Sequence, residues 1–490
     1  MKASESCSPS AATNISPVWS LMPGSIEDEA SPFNEGGHGY LEAIAILVRI
    51  RELRLGHPVA GGSHEIVELT SQHDDICSDQ LRSQLILPGA RSGRRLETWF
   101  GRITMNILKR AAFAAAMLSA GVCWADTIKV GVIAEFSGPF AIYGKQYKEA
   151  IEIYTAKHGK QAGGHTIEFI YKDVGGSNPD VAKTLAQELL IREKVDYLAG
   201  FTFTPNALAV APLIDQSETP TVIFNAATSS INKGSPYFLR SSYTLWQVTA
   251  PLAEWAFDQG LKTVVTAVSD YGPGIDAEKA FKAAFEKKGG KVIDAIRMPV
   301  ATTDFTPFIQ RVRSKAPNAV FAFLPGGPPT FGFTKTYNEN GLAGGGIRFL
   351  GTAETEESNL QALGDAAIGL TTAFHYSAAH DSAVGREFVD ALTKKFPGAV
   401  ANWASVGAYD GTHLIYEMVK AAGNDGPKAL VAAKTLKWES PRGPVEMDPE
   451  TRTVKQNVYI RDVERDKASG QLVNREKSVI ATVGDLGWTQ

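Results

Sequence analysis

A corner suited to binding a carboxylate lies in the run Gly200-Phe201-Thr202-Phe203-Thr204-Pro205-Asn206-Ala207. An apolar stretch ends at Gly200, and Thr204 stands directly before Pro205 and a helical pattern. Threonine is a favoured helix N-cap, and proline suits the first helical position because its missing N–H is not needed there. A helix start of this kind offers free backbone amides and a hydroxyl, which together hold a carboxylate well. The same Thr-Pro pair is also what an ordinary cap with no ligand looks like. Asn225-Ala226-Ala227-Thr228-Ser229-Ser230 follows the next apolar stretch in the same manner. Two successive loops of this type, meeting at one edge of a parallel sheet, favour an anion site over two unrelated caps.

Other candidates are weaker. Tyr271-Gly272-Pro273-Gly274 and Pro325-Gly326-Gly327-Pro328-Pro329 lack the spacing of a dinucleotide fingerprint and the Gly-Lys-Ser/Thr of a P-loop. They are either simple turns or a rim that lets the backbone approach a ligand closely. Glu354, in Gly351-Thr352-Ala353-Glu354, could hold an ammonium group, although Glu356 and Glu357 make a solvated acidic loop an equal reading. No Gly-x-Ser-x-Gly elbow or His-Glu-x-x-His appears, and His375, His380 and His413 are too irregularly placed for a metal site. No catalytic residue, cofactor or metal is expected.

Positioning such loops calls for alternating strands and helices. Strands are expected at Ile128–Ile133, Thr166–Tyr171, Tyr197–Gly200 and Thr221–Phe224, with helices near Tyr143–His158, Asp180–Glu193 and Pro205–Asp215. A second series reads strand Thr263–Ala267, helix Ile275–Lys288, strand Lys291–Arg297, helix Phe305–Lys315, strand Ala319–Phe323, helix Thr330–Asn340 and strand Ile347–Gly351. A long helix follows over Trp403–Ala422, then strands about Asp448-Pro449-Glu450-Thr451. The fold class is therefore α/β, with two doubly wound parallel sheets. Ligands in such sheets sit beyond the carboxyl ends of the strands.

Composition narrows the function. The 490 residues are 44% hydrophobic, and 53 acidic against 49 basic residues give a formal charge of −4. That balance argues against nucleic acid or an anionic membrane face as a partner. Met105–Ala125 has a basic start at Asn106–Arg110, an apolar run from Ala111 to Val122, and small residues in Cys123-Trp124-Ala125. This is the pattern of a secretory signal peptide, too short for the roughly 20 residues of a membrane span. Residues 1–104 are then expected to be a non-native upstream extension, disordered, and the working protein to begin at Asp126. A cytosolic extension followed by an apolar helix is the alternative. Cys7, Cys77 and Cys123 all precede Asp126, leaving the exported part without a thiol, which suits an oxidising compartment.

Ile128-Lys129-Val130-Gly131, Phe136-Ser137-Gly138-Pro139 and Tyr143-Gly144 resemble the opening of the branched-chain amino-acid-binding proteins of ABC importers. Thr303-Asp304-Phe305, Asp410-Gly411 and Arg442-Gly443-Pro444-Val445 are similar to later signposts of that family. The resemblance covers essentially all of 126–490. It implies a type I periplasmic binding protein fold with a ligand cleft between two lobes, 126–242 plus 376–455 and 246–373 plus 456–490. Three crossovers would join them near Ser241–Trp246, Thr372–Ser377 and Arg442–Lys455. It also implies that Thr204 holds a ligand carboxylate, that the Ala226 carbonyl accepts from an α-ammonium, and that Thr228 is a second polar contact. Tyr143 and Tyr271 would be aromatic walls, and Glu354 would fall near the acid that binds the ammonium. Phe203 stands where the family often has a small residue or cysteine. With Phe201, Trp246 and Trp403 as further walls, it leaves an aromatic or other larger acid open beside an aliphatic amino acid. The family's frequent lobe-1 disulfide is absent.

The expected protein is thus a periplasmic monomer that captures a small carboxylate and delivers it to ABC permease subunits in the inner membrane. A ligand-sensing receptor of the same fold is the alternative, and a secreted enzyme is a third reading.

Overall fold

A computed structural model describes residues 126–489. The signal peptide and the upstream extension read from the sequence lie outside them. Among the described residues no helix is long and apolar enough to cross a membrane, and no group of three or more His, Cys, Asp or Glu could hold a metal.

The first sheet has six strands in the order β2-β3-β1-β4-β5-β6. They are β1 Thr127–Ala134, β2 Gln161–Ala162, β3 His165–Asp173, β4 Tyr197–Gly200, β5 Thr221–Ile223 and β6 Phe238–Arg240. All pairs are parallel except the short β2 edge. Strand β1 is apolar along most of its length because helices cover both faces of the sheet, as parallel sheets require. Helices Ala141–His158 and Thr204–Ser217 start just after β1 and β4. Gly200 (φ +106°) and Phe201 (φ +63°) turn the chain sharply at the end of β4. A Cβ on Gly200 would lie 2.3 Å from the Ile133 carbonyl oxygen, so only glycine fits there.

The second sheet has nine strands. Its parallel part runs β11-β10-β9-β7-β8, with β7 Thr263–Ser269, β8 Lys291–Met298, β9 Ala319–Phe323, β10 Arg348–Gly351 and β11 Thr371–Phe374. Antiparallel β14 Val454–Arg465 then pairs with β11, β13 Gly443–Met447 and β15 Leu472–Val483, and β12 Lys437–Ser440 closes the edge. The chain leaves the first sheet between Arg240 and helix Leu245–Asp258, near the first expected crossover. After β11 it returns to the first lobe, where helix Trp403–Ala422 packs on helix Ala141–His158.

One expectation is corrected here. Lobe 1 was to extend to residue 455, with a crossover at Arg442–Lys455, but β12 and β13 belong to the second sheet. The hairpin around Asp448 is read correctly; its β13 arm pairs with the longer β14, which carries both arms into the second lobe. Helices Leu245–Asp258, Ala383–Lys395 and Gly426–Ala433 had no counterpart in the sequence reading.

Candidate functional site

A cavity of about 50 Å³ lies between the lobes. By the measure in which one water needs roughly 10–15 Å³, it holds several waters, which suits a small organic molecule rather than a nucleotide or peptide. Its lining follows the strand ends of both sheets: Tyr143 after β1, Thr202 and Phe203 after β4, Asn225 and Ala227 after β5, and Tyr243 after β6. Opposite them stand Tyr271 after β7, Leu324 to Gly326 after β9, and Ala353 after β10. This is the carboxyl-end crevice expected of two facing α/β sheets.

The walls are aromatic. Phe140 meets Phe203 edge-on at 5.0 Å between ring centroids and stacks on Tyr143 at 6.3 Å. Trp403, the first residue of its helix, packs against Tyr143 at 5.3 Å and Tyr243 at 6.4 Å. Tyr271 stacks on Phe323 at 6.3 Å from the second lobe. Tyr143 reaches across the gap to Gly326, where a Cβ would fall 2.5 Å from its hydroxyl oxygen, so the glycine admits the tyrosine. Burial raises the pKa values of the Tyr143, Tyr243 and Tyr271 hydroxyls, which therefore remain hydrogen-bond donors.

The lobes already touch. The Ser229 amide donates to Asp276 Oδ2 of the second lobe at 3.0 Å, and Gln146 Nε2 donates to Ser358 Oγ at 3.1 Å on another side of the cleft. Asn402, the cap of the long helix, also donates to Ser358 Oγ, at 2.7 Å.

The residues singled out from sequence divide into two groups. Tyr143, Phe203, Tyr271 and the further wall Trp403 line the cavity. Thr204 and Thr228 come together, their hydroxyls 2.9 Å apart, but they satisfy each other and do not line the cavity. The helix cap is Phe203 in extended backbone, and Thr204 is the first helical residue, so its hydroxyl caps nothing. The anion site read from these loops is in part occupied by the protein's own Asp276 carboxylate at Ser229.

Ala226 differs from expectation in a telling way. Its carbonyl accepts from Arg240 Nε at 3.0 Å, and the Thr228 carbonyl accepts from Arg240 Nη2 at 2.8 Å. The guanidinium, fully buried behind the loop, holds both carbonyls. Glu354 is likewise engaged: Oε1 accepts from the Leu324 amide at 3.0 Å and Oε2 from the Thr352 amide, and it does not line the cavity. Burial pushes its pKa up to about 7 despite these bonds. Phe201 packs in the first-lobe core, and Trp246 turns its indole toward Asp276 at 3.4 Å, so neither is a wall.

Phe140, Thr202, Asn225, Tyr243 and Phe323 were missed. Tyr243 lies on the first crossover, and its stack on His375 of the second crossover, 4.7 Å between centroids, has no local signature. Thr202 and Asn225 sit inside the two loops that the sequence reading chose; attention to which loop residue precedes the cap would have found Thr202.

Two facing α/β lobes with an aromatic-walled cavity at their strand ends define a two-lobed solute-binding protein. A family model described as periplasmic binding protein matches residues 127–470, and the chain belongs to that family, in its branched-chain amino-acid-binding type I branch. The Leu/Ile/Val-binding protein homolog 6 of Brucella abortus (strain 2308) is 49% identical over 387 residues, covering 78% of this chain and 99% of the relative. The solute-binding protein of an ABC transporter from Rhodopseudomonas palustris HaA2, solved in complex with p-hydroxybenzoic acid, is 49% identical with a TM-score of 0.72, over 74% of this chain and 99% of that one. A counterpart from Rhodopseudomonas palustris BisB5, in complex with 3,4-dihydroxybenzoic acid, is 44% identical with a TM-score of 0.70, over the same shares.

Proposed function

We propose that this chain is the periplasmic solute-binding component of an ABC importer for a single-ring aromatic carboxylate of the 4-hydroxybenzoate type, and not for a branched-chain amino acid. One observation carries the choice. Both groups expected to hold an α-ammonium are already used, the Ala226 carbonyl by Arg240 and the Glu354 carboxylate by two backbone amides. An amino acid would have to place its ammonium on an acceptor other than these two, such as the unpartnered Asn225 Oδ1 in the cavity wall, and an ammonium left unpaired there is costly. A ring bearing a carboxylate needs no such acceptor and gains from the walls of Phe140, Phe203 and Trp403. The aromatic acids in the 49% and 44% identical relatives support the same ligand class.

Capture is a population shift. The ligand touches residues of both lobes only when the cleft is closed, so it stabilises that form, which a membrane permease then receives. The protein works as a monomer. A micromolar dissociation constant corresponds to about −8 kcal/mol, sufficient for uptake. A thermal-shift screen of residues 126–490 tests the reading. At a thousand times Kd a ligand adds about 4 kcal/mol of stability, so 4-hydroxybenzoate or benzoate should raise the melting temperature by several degrees. A rise with leucine and none with any aromatic acid would reject it.

A further inference from the structure

The cavity poses an electrostatic problem for an anion. Among the described residues no lysine, arginine or histidine lines it. Behind its Thr202 wall and next to the Thr202 hydroxyl lies the carboxyl of Glu135, fully buried, with neither oxygen at hydrogen-bond geometry to any partner among the described residues. The groups around it come from each neighbouring element. Tyr143 and Tyr147 face it from helix Ala141–His158, Asp173 from the end of β3, and Thr202 from the loop after β4. None of these is a cation. Tyr147 Oη lies 3.1 Å from Thr202 Oγ1, so the Thr202 hydroxyl, which touches the cavity, meets Tyr147 and neighbours the Glu135 carboxyl.

Hydrogen-bond bookkeeping then ties the ligand to a proton. An ionised Glu135 would draw the single hydroxyl hydrogen of Thr202 to itself and leave a lone pair facing the ligand carboxylate. A neutral Glu135 instead donates to Thr202 Oγ1. With Tyr147 donating as well, the Thr202 hydrogen is free to point at the ligand.

We propose that Glu135 is a positioning residue for ligand recognition: in the closed complex it carries a proton taken from solvent, orients the Thr202 hydroxyl toward the ligand carboxylate, and so couples the capture of each anion to the uptake of one proton. The step moves one proton from water or buffer to a Glu135 carboxylate oxygen and makes or breaks no other covalent bond. In support, burial pushes the pKa of this carboxyl up to about 7, with Asp173 adding to the rise and Thr202 opposing it. From the second lobe Glu356 faces Tyr143, its pKa pushed up to about 8 by burial first and Glu357 next, so it adds no cation either. The proposal rests on the aromatic-carboxylate reading of the site.

The test is calorimetric titration of residues 126–490 with 4-hydroxybenzoate at pH 8, in buffers of different ionisation enthalpy. The wild type should take up close to one proton per ligand, and its affinity should fall by up to tenfold per pH unit above pH 7. Glu135→Gln keeps a donor to Thr202, and should bind with an affinity independent of pH and with no proton uptake. Glu135→Ala should bind more weakly at every pH. Wild-type binding without proton uptake overturns the coupling, and undiminished uptake in Glu135→Gln overturns its assignment to Glu135. Failure to bind 4-hydroxybenzoate, benzoate or 3,4-dihydroxybenzoate at all rejects the ligand reading and this inference with it.

Discussion

Replacing Asp410 with alanine should be among the most damaging single changes to the hinge region. Asp410 Oδ2 lies 2.9 Å from Arg442 Nη2, with the two side chains 1% and 0% exposed. The same carboxylate accepts from Trp438 Nε1 at 3.0 Å and Ser440 Oγ at 2.7 Å. Arg442 in turn donates to the Ser241 carbonyl, so one buried pair ties helix Trp403–Ala422 to the first crossover and to the loop between β12 and β13. Removing the acid strands a buried guanidinium, which costs about 3–5 kcal/mol. With a urea m-value of roughly 3 kcal/mol/M, a loss of about 4 kcal/mol moves the unfolding midpoint down by a little over 1 M. Replacing both partners, Asp410→Ala with Arg442→Met, removes the stranded charge, because an apolar substitute for a buried pair is often close to neutral. The double variant should therefore be more stable than Asp410→Ala alone. A single variant within about 1 kcal/mol of wild type, or a double variant showing the plain sum of the two single losses, would refute the reasoning.

Asp276→Ala removes the acceptor of the Ser229 amide between the lobes. Losing about 1.4 kcal/mol of closure should weaken ligand binding roughly tenfold by calorimetry while leaving the fold intact. Glu135, Glu354 and Glu356 all have pKa values raised by burial, to about 7, 7 and 8. Their neutral forms are favoured in the folded protein, so these three sites bind more protons than in the unfolded chain between pH 4.5 and 8. The stability they contribute is present in full below about pH 4.5 and is lost as pH rises through 7 to 8. Burial lowers the pKa values of His158, His375 and His413 and acts in the opposite direction below about 6.5, so the melting temperature should fall between pH 7 and 8, and Glu356→Gln should flatten that fall. A wild-type melting temperature that climbs from pH 7 to 8 would contradict this.

Much of the architecture was legible because its signals are local. Strand β9 and helix Trp403–Ala422 fall where the apolar pattern puts them, since a buried parallel strand and a long helix each bury a continuous apolar face. Long-range pairing was not legible. Strands β12 and β13 pair with each other and carry nothing that says which sheet they will join, and β14, which ties β13 to the second sheet, lies beyond them in the chain. The site shows the same divide. Thr204 and Thr228 were rightly brought together, but a sequence does not show that two hydroxyls will bond each other rather than a ligand. Nor does it show that Arg240 will reach the Ala226 carbonyl from behind. That contact, invisible in the loop's own residues, is what the proposed preference for an aromatic acid over an amino acid rests on.

The proposed ligand is an aromatic carboxylate because the two groups expected to hold an ammonium, the Ala226 carbonyl and Glu354, are already engaged within the protein. Side-by-side titration of residues 126–490 with 4-hydroxybenzoate and with leucine tests this proposal most directly. Micromolar affinity for the aromatic acid is expected, with leucine bound at least a hundredfold more weakly, about 2.7 kcal/mol. Leucine bound more tightly than 4-hydroxybenzoate would contradict it.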